Sequence, residues 1–298
     1  MRSLIFLSAL LLSIKVYAAS CCGGGFAFPA LILGDDKALF TSSFSYGSVT
    51  DDVLPNGKWI HRADNNQSET MKIDGAYLIS DLWQTGMSVP VVSRQIDKED
   101  SMGLGDISIN LGYEFLPELS YSEWKPKGLA FLQITLPTSP SVYDATNILA
   151  ADSRGRGFFT LGPGMVFTKN WKAWDANLSG EIHKSFPRTF HSDAAGGEID
   201  ATPGWGRSFT AGVGWNHGDW RVGTNLSSMY EDAIRIRGAQ SSEGAPQSNM
   251  TWSAVVNYML DLESALTLSY ADQTLFGAPE NSSLSKTVTL SFQQRWQR

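Results

Sequence analysis

The sequence predicts an all-β chain: an antiparallel transmembrane β-barrel of about twelve strands, with short periplasmic turns and long outer loops. Three observations carry this expectation. Apolar and polar residues alternate with period two over most of the chain, and little of it has helical periodicity. The connections between alternating segments are short and long in turn, with one shorter exception at 98–102. Four of the 10 tryptophans, Trp83, Trp171, Trp215 and Trp220, lie with Tyr258 beside the short connections, where a headgroup-level girdle needs amphipathic rings.

The chain opens with Met1-Arg2, then an apolar run from Leu4 to Leu12, then small residues at Ala18, Ala19 and Ser20. This is the pattern of an export signal, too short to span a bilayer as a helix. Residues 1–20 are read as the signal peptide, with cleavage between Ala18 and Cys21. Both cysteines, Cys21 and Cys22, sit at this boundary. No disulfide can therefore tie them to the body. Ala18-Ala19-Ser20-Cys21 fits a lipoprotein box in its last three places, which makes Cys21 a candidate for lipidation; the alternative is an exported tail with a vicinal thiol pair. Mass spectrometry of the mature chain separates a diacylglycerol adduct on Cys21 from a free amine at Ala19 or Cys21. Residues 21–37, with the apolar stretch Phe26 to Asp36, read as a periplasmic N-terminal segment or a plug, and 38–298 as the barrel.

Alternating segments fall near 38–47, 68–82, 86–97, 103–116, 124–138, 156–169, 171–185, 206–217, 219–232, 248–260, 263–274 and 285–296. Each has the roughly 10 residues that a tilted spanning strand needs. In the hairpin from Gly206 to Tyr230, Phe209, Val213, Trp215, Trp220, Val222 and Leu226 share one face, and Asn216, Arg221 and Asn225 lie on the other. Tight links are expected at Gln84-Thr85, Lys169-Asn170, His217-Gly218 and Asp261-Leu262. The segment 124–138 departs from the pattern. Leu129 and Phe131 are apolar on one face and Leu132, Ile134 and Leu136 on the other, so an inward apolar group needs a plug or a bulge to meet it.

Composition narrows the function. Charged residues are 18%, below the roughly one quarter usual in soluble domains. The net charge is -7, which leaves no basic footprint for nucleic acid. No His/Cys pair has metal-ligand spacing, and the Gly-rich stretches lack the strand-to-helix context of a phosphate loop. No metal or cofactor is expected. His191-Ser192-Asp193 are adjacent in a long loop, whereas catalytic triads are assembled from separated positions, so no enzyme is expected.

The candidate functional surface is the inward polar row: Asp106, Asn110, Glu114, Asn177, Glu181, His183, Arg221, Asn225 and Asn257. Such a row can select solutes by charge and width, or can simply be the polar interior that this architecture has by default.

"GLGDISINLGYEF", "LAFLQITLPTS" and "GRGFFTLGPGMVFTKNW" together resemble the outer-membrane transporter family associated with the meta-cleavage pathway of phenol degradation, the phenol MetA-pathway family. The matching features are Gly103-Leu104-Gly105-Asp106 at a strand start, Leu136-Pro137-Thr138 at a strand end, and a later Gly-rich strand and turn. Ser139 stands where many members carry Gly. The resemblance implies passage of small hydrophobic or aromatic compounds and carries no site residues. The expected function is thus an outer-membrane channel for small solutes, with membrane lipid, the solute and the outer-membrane assembly machinery as partners. Its rivals are a structural or adhesive barrel acting through its outer loops, and a barrel hydrolase. A folded barrel from an outer-membrane fraction shows a heat-dependent shift in gel mobility; a soluble, unshifted protein would overturn the architecture.

Overall fold

The computed structural model describes residues 29–298 apart from 119, 121, 193–196 and 239–240; Cys21, Cys22 and the export signal lie outside the described residues. Eighteen strands follow one another among those described. The first six are β1 (Asp36–Val53), β2 (Trp59–His61), β3 (Asn66–Leu78), β4 (Trp83–Ile96), β5 (Glu99–Leu104) and β6 (Ile107–Leu116). Next come β7 (Lys127–Leu136), β8 (Thr160–Asn170), β9 (Trp174–Ser185), β10 (Arg188–Ser192), β11 (Gly197–Thr202) and β12 (Trp205–His217). The chain ends with β13 (Trp220–Glu231), β14 (Arg235–Arg237), β15 (Ser242–Glu243), β16 (Gln247–Met259), β17 (Ser264–Asp272) and β18 (Ser282–Gln297).

The main sheet runs β18-β17-β16-β13-β12-β9-β8-β7-β6-β4-β3-β1, and β18 pairs back onto β1. Register runs from Asp36↔Gln297 to Val53↔Ser282, so the barrel closes with twelve antiparallel positions. One position is shared. The lower part of β4 pairs with β6 and its upper part with β5. The predicted strand 103–116 is therefore broken at Gly105-Asp106. There the Gly105 N–H still reaches the Pro90 carbonyl (2.9 Å), while Asp106 turns to other partners. Above the long-loop end, β10, β11, β14 and β15 form a separate four-stranded sheet.

Side chains alternate as the period-two pattern predicts. Phe44, Met71, Phe209, Leu268 and Leu290 are about half exposed on the outer wall. An apolar band of this extent is what lipid contact requires and water does not tolerate. Trp83, Trp171, Trp174, Trp215, Trp220 and Tyr258 are exposed near the short turns. Two cross-strand pairs stand among the rings there, Trp83–Tyr113 at 4.8 Å and Trp220–Tyr258 at 4.6 Å between centroids.

The turns shift slightly from expectation. Gln84 and Thr85 belong to β4, and the link is 79–82, where the Ile79 and Ser80 N–H groups both reach the Trp83 carbonyl. Lys169 and Asn170 end β8, and the turn that follows is closed by the Trp171 N–H on the Trp174 carbonyl (2.7 Å). Backbone bonding sets these limits, and hydrophobic alternation cannot register them. The long-loop sheet escapes prediction for a related reason: its strands span as few as 2 residues.

Close packing inside the wall uses glycine. A Cβ at Gly164 would collide with the Phe131 ring and lie 2.7 Å from the Gly180 carbonyl. Gly164→Ala is expected to lower stability by about 1–3 kcal/mol, as overpacking does, measured as a fall in the unfolding midpoint in detergent.

Candidate functional site: a lumen narrowed from both ends

At the short-turn end, residues 29–35, which form no strand, lie against the inner wall. Wall side chains claim alternate carbonyls. The Asn110 amide donates to the Ala30 carbonyl (3.1 Å), the Gln84 amide to that of Ile32 (3.1 Å), and Lys127 Nζ to that of Gly34 (3.2 Å). Gln84 also accepts the Ile32 N–H (2.6 Å). A single side-chain amide thus stands in for the strand that this backbone lacks, satisfying groups that would be costly to bury unpaired.

The same alternation sorts the apolar side chains. Ala30 and Ile32 pack with Ala76, Leu78 and Leu39, whereas Leu31 and Leu33 pack with Leu129, Phe131 and Val166. Ile32 is 3% exposed and Leu129 1%. Burying side chains of this size contributes about 1.5–3 kcal/mol each. The inward apolar group of the segment 124–138 has its partner here. Gly86 and Gly112 leave the space, since a Cβ on the first would overlap the Ala30 carbonyl and on the second would stand 3.2 Å from Leu31. Glu114 holds Lys127 in place from 3.1 Å.

At the long-loop end, the connection 137–159 folds into the barrel. Asp106 accepts from the Ser139 N–H and hydroxyl (3.2 and 2.7 Å) and from the N–H groups of Arg156 and Gly157 (2.7 and 3.3 Å). Arg94, from β4, donates to the Ser153 carbonyl (3.2 Å). On the far side, the Arg156 guanidinium meets Glu231 at 2.7 Å. In the closed order, β4 and β13 lie six steps apart in either direction. The connection is therefore fastened to opposite walls.

Glu231 also bonds His183 Nε2 (2.8 Å), and His183 Nδ1 is 3.5 Å from Glu181. A chain of polar groups, Asp106–Arg156–Glu231–His183–Glu181, thus bars the lumen. The connection also supplies Tyr143 and Phe158 to an apolar cluster with Phe190, Ile199 and Ala201 of the outer sheet. Burial there pushes the Tyr143 hydroxyl up to about 12, as expected for a phenol shielded from water.

What remains lies along β9, β12, β13 and β16 at the short-turn end. Arg221 lies across Gly214 and Gly223, where a Cβ would be 2.5 and 3.0 Å from its guanidinium. It is paired with Asp175 through two bonds of 2.8 and 2.6 Å. Asn257 accepts from Arg221 (3.2 Å) and donates to the Thr267 hydroxyl (2.5 Å). Asn225 reaches the Ser253 hydroxyl at 3.4 Å, and Asn177 faces it across Gly212.

The nine candidates therefore separate by position. Asn110 and Glu114 hold the N-terminal segment. Asp106, Glu181 and His183 belong to the bar. Asn177, Arg221, Asn225 and Asn257 are on the uncovered side. Arg156 and Glu231, which join the bar, escaped sequence reasoning because one sits in a loop and the other ends a strand. Gln84 escaped too, although its inward position beside Gly86 was a usable signal. Of His191-Ser192-Asp193, the first two belong to β10 and Asp193 lies outside the described residues. Among the described residues, no group of acidic, His or Cys side chains is arranged to hold a metal.

A closed antiparallel sheet with an apolar outer wall, interfacial aromatics and a polar interior defines a transmembrane β-barrel of the outer-membrane type. The crystal structure of an outer membrane channel from Pseudomonas putida F1 superposes with a TM-score of 0.74, covering 91% of this chain and 100% of that one at 11% identity. The fold is thus shared where the sequence is not. Looser likeness is found to the NanC porin (TM-score 0.49, 7% identity, 86% of this chain and 98% of that one). The Pseudomonas putida toluene transporter TodX is similar at this looser level (TM-score 0.46, 9% identity, 88% and 90%). No protein-family model matches the chain, and no curated protein is significantly similar to it in sequence.

The bar gives a direct test. Glu231→Ala removes the acceptor shared by Arg156 and His183. The expected result is tryptic cleavage after Arg154 or Arg156 in intact cells, where the parent chain resists, with a stability loss of about 1–3 kcal/mol from the lost charged hydrogen bonds.

Proposed function

We propose that this protein is an outer-membrane channel for small solutes, narrowed at both ends by its own chain. The observation that carries the reading is a closed barrel whose interior keeps a polar side that the N-terminal segment leaves uncovered. The mechanism is passage along that side, selected by width and by the groups of Asn177, Arg221, Asn225 and Asn257. The short turns and the N-terminal segment face the periplasm and the connection 137–159 faces outward, because barrels of this type keep their long loops outside.

Residues 1–20 act as the export signal, the assembly machinery of the outer membrane inserts the chain, and 29–35 serve as a plug. No group in the lumen is given a catalytic role. The motifs at Gly103–Asp106 and Leu136–Thr138 support kinship with the phenol MetA-pathway family. The outer membrane channel from Pseudomonas putida F1 that shares the fold supports the channel reading. A second reading, a barrel acting through its outer loops, draws support from the four-stranded sheet and its own apolar cluster.

Planar-bilayer recording separates the readings. The parent chain is expected to give channel steps. Leu31→Asp with Ile32→Asp, which places two carboxylates in the apolar contact, is expected to release the segment and raise the step size. Absence of steps from both chains would exclude the channel. Equal steps would exclude the plug alone.

A further inference from the structure

The uncovered side of the lumen carries a continuous row of hydrogen-bonding side chains. Register places Arg221 opposite Asn257, Asn257 opposite Thr267, Thr267 opposite Ser291, Ser291 opposite Ser43 and Ser43 opposite Lys72. Arg221 is the second residue of β13, beside the short turn 218–219, whereas Ser43 and Lys72 are near mid-length in β1 and β3. The row therefore climbs from the mouth into the lumen as it crosses the strands. At β1 it passes above Leu39, which the N-terminal segment covers.

Its chemistry is narrow. Both cations at its ends are neutralised, Arg221 by Asp175 and Lys72 by Asp74 at 3.0 Å. Between them stand one amide and three hydroxyls. Neighbours pre-orient several of these groups: Asn257 with Thr267, and Ser43 with the Lys72 carbonyl at 3.4 Å. Each hydroxyl can donate once and accept twice, so these contacts leave bonding capacity for a solute. Among the described residues, the only ring at the inward positions of β9, β12, β13 and β16 to β18 is the His183 imidazole, which belongs to the bar.

We propose that this row makes the channel selective for uncharged, hydroxyl-bearing solutes such as small sugars and polyols. The inference rests on the channel reading and names its solute class. A polyol can exchange its bonds to water for bonds to successive wall groups, one at a time, and so keeps its hydrogen bonding throughout. An apolar solute gains no hydrogen bond from this row. An ion meets charges that are already paired, so neither sign is favoured.

Liposome swelling with arabinose on the full chain and on Leu31→Asp with Ile32→Asp, and reversal potentials in a potassium chloride gradient on the full chain, test the idea. Arabinose is expected to enter, and the reversal potential to lie near zero. Asn257→Leu, Thr267→Val and Ser291→Val together are expected to slow arabinose about five-fold, the effect of losing about one net hydrogen bond, with a smaller change in ionic conductance. Thr267→Val alone, which keeps the side-chain shape, should move arabinose entry in the same direction, and heat-dependent gel mobility checks that each variant is folded. Ionic conductance without arabinose entry, or unchanged arabinose entry in the folded triple variant, would overturn the solute class and leave the channel standing. Absence of both conductance and swelling would overturn the channel and this inference with it.

Discussion

In the hydrocarbon of a bilayer no water is present to satisfy a backbone N–H or C=O, and an unpaired group costs several kcal/mol. The β1–β18 ladder is the answer that this chain gives. Pairing the first strand with the last along nearly their whole lengths removes both edges at once. It also commits every strand to one inward and one outward face. The apolar outer wall, the aromatic residues at the short turns and the polar interior all follow from that closure.

Closure creates a second constraint. A barrel of twelve positions is wider than the eight-stranded kind whose own side chains fill the interior. This chain narrows its lumen with backbone from both ends. Each insertion then has to satisfy its own polar groups. The N-terminal segment does so through Gln84, Asn110 and Lys127. The connection 137–159 does so through Asp106, Arg94 and Glu231. Inward glycines answer the same need from the wall, because Gly86 and Gly112 leave room for the segment where any Cβ would intrude.

Much of the architecture was legible in the sequence because a strand with one face in lipid has a strict period of two. The hairpin from Trp205 to Glu231 was readable residue by residue, and the inward placement of Asn177, Arg221 and Asn225 follows from the same parity. Leu129 and Phe131 were legible as an anomaly but not as a contact. Their partner, Leu31, is about a hundred positions away, and nothing in local periodicity joins them. The bar is harder still. Asp106, Arg156, Glu231 and His183 come from four separate parts of the chain, and only the barrel's curvature makes them neighbours.

By itself, then, the sequence determined the strand type, the face of each residue and the alternation of short and long links, because these depend on nearest neighbours and on the solvent at each face. The tertiary structure decided what the lumen contains. Parity assigns a side chain to the interior; it cannot say whether that side chain meets water, the segment 29–35 or a loop from the other end. That depends on distances across the barrel, which closure of the sheet sets.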